Sequence, residues 1–136
     1  MGRLRRISMR ILFDTHALIW FLSDDRKLPE SVRKLFSDPK NEFFFSSVSI
    51  LEIAIKHSLK PELMRCKPEE VRTDAVASNL REVAFDSRSA ERVGVLPWLH
   101  RDPFDRMLVA QAQIEGMKLL SHDDAVIGSG DCVLGF

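Results

Sequence analysis

The chain has little cysteine, no net charge and no long apolar run, and each shortage removes a class of explanation. Of its 136 residues only Cys66 and Cys132 are cysteines. Two are too few for a disulfide framework, and neither sits in a CxxC or Cys/His spacing suited to a structural zinc ion. They read as ordinary thiols of a reducing cytoplasm. Twenty basic and twenty acidic residues cancel, so no global field draws the protein to nucleic acid, and any RNA contact has to come from a local patch. The longest apolar runs, such as Ala17 to Leu22, fall far short of a membrane span. Arg3, Arg5, Arg6 and Arg10 are not followed by the long apolar core and small-residue cleavage site of a signal peptide. There is no internal repeat, no low-complexity stretch and no glycine-rich phosphate loop.

What remains is an ordinary globular composition, 45% hydrophobic and 29% charged, of a length that suits one domain with its own core. Met9-Arg10-Ile11-Leu12 would itself make a sensible start. Residues 1–8 are therefore expected to be an extension and 9–136 the folded domain.

The punctuation of the sequence predicts alternating strands and helices. Arg10 to Phe13 ends in three consecutive apolar residues, as a short buried strand does. Asp14-Thr15 signals the start of a helix through Leu22. Leu28-Pro29-Glu30 opens another, stopped by Asp38-Pro39. Phe43-Phe44-Phe45 is a second strand, and Ser46, Ser47 or Ser49 caps a helix from about Val48 to Leu59. A helix from Pro68 towards Asn79, a strand over Leu80 to Phe85 and a helix near Ser89 to Val93 follow. Asp102-Pro103 opens a long helix, Phe104 to Glu115, closed by Gly116. Lys118 to Ser121 is a fourth strand and Asp131 to Leu134 a weak fifth. This alternation is that of an α/β fold with a central, mainly parallel sheet flanked by helices, whose strand-end loops gather on one edge.

Four acids stand where that edge would be. Asp14 follows the first strand, Glu52 lies early in the helix after the second, Asp105 is in the first turn of the Phe104 helix, and Asp123 comes just after the fourth strand. Carboxylates brought together repel, so some stay protonated or a cation neutralises them. Oxygen ligands without cysteine or spaced histidine favour a hard ion, Mg²⁺ or Mn²⁺. Such an ion can activate water and neutralise charge on a phosphodiester under attack.

Each acid also has a plainer explanation. Asp14 can cap the next helix, and Asp102 and Asp105 fit the cap and third position of theirs. Glu52 has Lys56 four residues on, the orientation of a surface ion pair, although Ile50, Leu51, Ile53, Ala54 and Ile55 make its helix apolar nearly all round. One of Asp123 and Asp124 can cap while the other coordinates. Arg101, Arg106 and Lys56 flank the acids and can hold RNA phosphates, or simply be solvated. His16, His57, His100 and His122 show no ligand spacing. Trp20 and Trp98 suit packing better than base stacking.

The stretch Ile11-Leu12-Phe13-Asp14-Thr15-His16-Ala17-Leu18-Ile19-Trp20 resembles the opening of PIN-domain toxins of the VapC type. Ser49-Ile50-Leu51-Glu52-Ile53-Ala54-Ile55-Lys56 resembles their second motif, and the segment His100 to Ala112, with Asp102-Pro103-Phe104-Asp105-Arg106, is the most specific match. Leu119-Leu120-Ser121-His122-Asp123 resembles the last motif, with Ser121 where Thr is commoner. The resemblance implies a cytoplasmic Mg²⁺- or Mn²⁺-dependent endoribonuclease whose acidic site is Asp14, Glu52, Asp105 and Asp123. Asp102 is a lesser candidate, and Asp124, Arg106, Lys56 and Ser121 are supporting or substrate-binding ones. It further implies a homodimer and a small antitoxin that covers the site and joins the toxin on promoter DNA. A receiver domain would need an acidic pair after its first strand, where Asp14 stands alone. An Asp-nucleophile phosphatase usually has a second Asp where this chain has His16. A PIN-like module without chemistry and an RNA-processing nuclease that is not a toxin remain as alternatives.

Overall fold

The computed structural model describes residues 8–97 and 102–136. Trp98, His100 and Arg101 lie outside the described residues, as does the expected N-terminal extension except for Ser8. Five strands, β1 (Arg10–Phe13), β2 (Glu42–Ser46), β3 (Arg81–Val83), β4 (Lys118–Ser121) and β5 (Val133–Gly135), form one sheet in the order β3-β2-β1-β4-β5. Every neighbouring pair is parallel. The helices are α1 (Thr15–Leu22), α2 (Glu30–Phe36), α3 (Ser47–Leu59), α4 (Pro68–Ala77), α5 (Ser87–Val93), α6 (Pro103–Glu115) and α7 (Asp124–Ile127).

The apolar runs in β1, β2 and β4 exist because helices cover both faces of the sheet, so successive side chains, which point to opposite faces, must all be apolar. Ile11, Phe13, Phe45 and Leu120 enter one core with Leu18, Ile53, Val71 and Ala75. Leu12, Phe44 and Leu119 enter the other with Val48, Leu108, Val109 and Val126. Phe13 anchors the first core: its ring lies 5.3 Å from Phe21, 5.7 Å from Phe36 and 6.1 Å from Phe43, centroid to centroid. The edge strands β3 and β5 carry no fully buried residue.

The expected strand over Leu80 to Phe85 shrinks to three residues. The Phe85 amide bonds to the Ser47 hydroxyl at 3.0 Å, which turns the chain away from the ladder. Asp86 then caps α5 two residues earlier than expected, its carboxylate accepting from Ser89 N at 3.1 Å. The short α7 was not foreseen, since four residues are too few to show a helical period. Gly116 closes α6 in the left-handed region at φ 67°, as the sequence suggests. No helix among the described residues is long and apolar enough to cross a membrane.

Because Phe13 is fully buried amid three other rings, Phe13→Ala should cost roughly 3–5 kcal/mol in urea denaturation. A loss below about 1 kcal/mol would mean that this cluster does not hold β1 in place.

Candidate functional site

The strand order reverses direction between β1 and β4, and open parallel sheets bind ligands beyond the carboxyl ends of their strands at such a point. Asp14 and Asp123 stand there. Asp14, 4% exposed, ends β1 and caps α1, its Oδ1 accepting from Ala17 N at 2.8 Å. Asp123 follows β4 and caps α7, its Oδ1 accepting from Ala125 N at 2.8 Å. Ser121 ties the two strand ends together: its hydroxyl accepts from Asp123 N at 3.1 Å, and its side chain hydrogen-bonds the Asp14 carboxyl.

Glu52 and Asp105 arrive from helices on opposite faces. Glu52 is 3% exposed on α3. Thr15 Oγ1 donates to its Oε1 at 2.6 Å, and Lys56 Nζ donates to its Oε2 at 2.5 Å. Thr15 Oγ1 also lies 3.0 Å from Ser49 Oγ. Asp105 is the third residue of α6, whose cap is Asp102 with Pro103 first in the helix; Asp102 Oδ1 accepts from Phe104 N at 2.9 Å. The expected cap geometry is thus present.

The acids act on one another electrostatically. Burial, and then the charges of Asp102, Asp123, Asp14 and Glu52, push the Asp105 carboxyl up to about 7. Burial also raises Asp14, with Glu52 adding to it, against hydrogen bonds from Ser121 and Ala17 and the nearby His16. Lys56 answers from the other side. Its partial burial works against the ammonium, but Glu52, Asp102 and Asp105 together hold it above its ordinary value.

The donor set suits a hard divalent cation, since it is all carboxylate and its charges add to burial in raising Asp105. Among the described residues, though, no three His, Cys, Asp or Glu side chains are close enough to hold an ion as they stand. The caps on α1, α6 and α7 each use Oδ1 of their aspartate, so capping does not consume the second carboxylate oxygen.

Other expected residues fall elsewhere. Arg106 is 1% exposed, and its guanidinium donates to the carbonyls of Val93 at 2.7 Å and Pro97 at 2.8 Å. It therefore pins the segment after α5 to α6, so that of the two roles expected of it, supporting the site or binding substrate, these bonds serve the first. Asp124 is exposed in the first turn of α7 and is not among the charges that raise Asp105. The apolar character of α3 does not bury it all round, because Leu51, Ile55 and Leu59 are exposed at 48%, 39% and 73%. His57 Nδ1 lies 2.7 Å from the Met64 carbonyl and so braces the turn after α3. Thr15 was missed as the partner of Glu52, and Ser49 as the partner of Thr15, although Ser49 and Glu52 stand three apart on one helical face.

A family model described as PIN domain matches residues 11–127. A comparison with curated proteins gives no match. Solved structures share the fold. One is VapBC2 from Rickettsia felis bound to a DNA fragment from their promoter, at TM-score 0.67 and 15% identity, covering 94% of this chain and 99% of that one. DNA-bound VapBC from Salmonella typhimurium gives 0.65 at 16% identity, covering 93% and 98%. A toxin–antitoxin complex from Klebsiella pneumoniae gives 0.63 at 22% identity, covering 91% and 95%.

The raised Asp105 has a definite pH signature. Its folded form binds a proton more tightly than its unfolded form, whose ordinary value is 3.8, so stability falls as pH rises from about 4 through about 7. In EDTA, Asp105→Asn should match wild type near pH 4 and be more stable at pH 8, by on the order of 1–3 kcal/mol. Thermal melts across pH 4–9 read this out, and a constant difference at every pH would contradict it.

Proposed function

Because the chain belongs to the PIN domain family, we propose that it is a metal-dependent endoribonuclease, the toxin of a toxin–antitoxin pair. The observation that carries this reading is the gathering of Asp14, Glu52, Asp102 and Asp123 around Asp105 at the carboxyl edge of the sheet. Asp14, Glu52, Asp105 and Asp123 would hold Mg²⁺ or Mn²⁺, with Asp102 in reserve. When bound, that ion supplies Lewis acidity: a more acidic water and neutralisation of charge on the phosphodiester.

The chain's own groups do the rest. Thr15 and Lys56 fix the Glu52 carboxylate from two sides. Ser121 keeps Asp14 and Asp123 in register across β1 and β4. Lys56, facing both Glu52 and the aspartates, is the cation placed to meet an RNA phosphate beside them. Burial of Asp14 and Glu52 keeps the site's dielectric low, where these charges act most strongly.

The partner reading rests on the surface of α3. Leu51, Ile55 and Leu59 lie along one face of it, and Leu63 beyond its end is 75% exposed. A contiguous apolar stripe of this kind marks a protein contact, in keeping with a homodimer or a small antitoxin. VapBC complexes of the same fold were solved with DNA bound, in one case a fragment from their promoter, and DNA contact here is assigned to the antitoxin. We place the domain at residues 9–136 and the protein in the cytoplasm. The spacing of the carboxylates, too wide as they stand to grip an ion, favours a second reading, a PIN-like module that binds RNA or protein without cutting.

Purified protein incubated with total RNA and Mn²⁺ or Mg²⁺ decides between them. Cutting should appear with the ion, vanish in EDTA and fall more than roughly 100-fold in Asp14→Asn. Cutting that survives in the mutant would remove Asp14 from the site. Metal binding with no cutting, and no growth arrest on expression, would establish the binding module.

A further inference from the structure

Beside the carboxylates lies a set of rings that the nuclease reading does not use. His16 and Trp20 stack at 5.8 Å between centroids with planes 28° apart. His122 meets the edge of Trp20 at 5.7 Å and stacks on Phe136 at 5.1 Å, 30° apart. The His122 Nδ1 also hydrogen-bonds the Phe136 carbonyl, which fixes the tilt of the imidazole. His16 and His122 are exposed, whereas Trp20 and Phe136 are half-buried against the first core. Two imidazoles are thus presented to solvent on an aromatic backing, one following Asp14 by two residues and the other immediately preceding Asp123.

Packing alone does not account for this arrangement, because the core needs Trp20 and Phe136 but gains little from imidazoles outside it. Basic residues flank the rings. Lys27 Nζ sits 5.6 Å from the Trp20 ring centre. On the other side His16 joins Lys56, Lys60, Leu59, Leu63 and Met64 in lining a cleft of about 360 Å³. Ring faces interleaved with lysines are how proteins hold unpaired nucleotides: bases stack, and phosphates meet the cations.

The geometry points to a base-stacking ledge, formed by His16, Trp20 and His122, that seats an unpaired RNA base next to the phosphodiester to be cut. The ledge rests on the nuclease reading and specifies its substrate as RNA single-stranded at the site. It turns Trp20 from the packing residue expected of it into the support of a binding surface. These are positioning residues, since they hold the nucleotide and leave the reacting atoms to the carboxylates.

The test irradiates the full chain with total cellular RNA in EDTA at a wavelength that joins stacked bases to side chains, then maps the adducts by mass spectrometry. Cleavage in Mn²⁺ is measured in parallel. Nucleotide adducts on His16, Trp20 or His122 are expected. A His16→Ala/His122→Ala double variant, unchanged in thermal stability, should bind RNA roughly 5- to 100-fold more weakly. Trp20→Phe, which keeps a ring, should lose much less. Wild-type cleavage with adducts only elsewhere, with no adducts, or with undiminished binding by the double variant, would overturn the ledge and leave the nuclease standing. Neither cleavage nor adducts in the wild type would overturn both.

Discussion

Like charges brought to one edge of a sheet repel one another, and much of the polar architecture of this protein answers that repulsion. Asp14, Asp102 and Asp123 each sit at a helix N-terminus, where free amides and the helix dipole favour negative charge. Glu52, which sits further into its helix, is held instead by a threonine hydroxyl and a lysine. Asp105 has the least compensation, and its carboxyl is the one pushed furthest, to about 7. Capping and charge gathering are therefore the same feature: the bond that starts each helix also makes its aspartate tolerable at a crowded edge.

The sheet makes that crowding possible. A parallel arrangement sends the carboxyl ends of all five strands the same way, so each loop that opens a helix does so on one side. With β1 at the centre and the strand order reversing beside it, residues about a hundred positions apart become neighbours. The hydrogen bond between the Asp14 amide and the Leu120 carbonyl, 3.0 Å, marks the join. The two apolar cores on either face keep this join rigid, the ring cluster around Phe13 directly beneath Asp14 above all.

Around this edge the surface divides by chemistry. Lysines 56 and 60 with His16 flank the acids on the α3 side, while the stripe through Leu51, Ile55 and Leu59 offers an apolar face to a protein. A chain with no net charge thus carries basic and apolar local patches that adjoin at Leu59 and Leu63. Arg106 stands apart from this division. A guanidinium that donates to the carbonyls of Val93 and Pro97 braces the fold, which its position one residue from Asp105 conceals in the sequence.

The sequence by itself determined the elements and their order. Its apolar triplets required strands covered on both faces, and its Asp, Ser, Pro and Gly residues set the starts and stops of α1, α3 and α6 within a residue or so, because capping is local chemistry. It also named the acids at the strand ends. Only the tertiary structure decided what depends on distant neighbours. Glu52 is buried although its helix shows an apolar face to solvent. Arg106 turns inward, β3 breaks off where Ser47 captures an amide, and two histidines from opposite ends of the chain meet on one tryptophan. Burial, charge coupling and ring contacts arise between residues far apart in the chain, and no local pattern encodes which of them will meet.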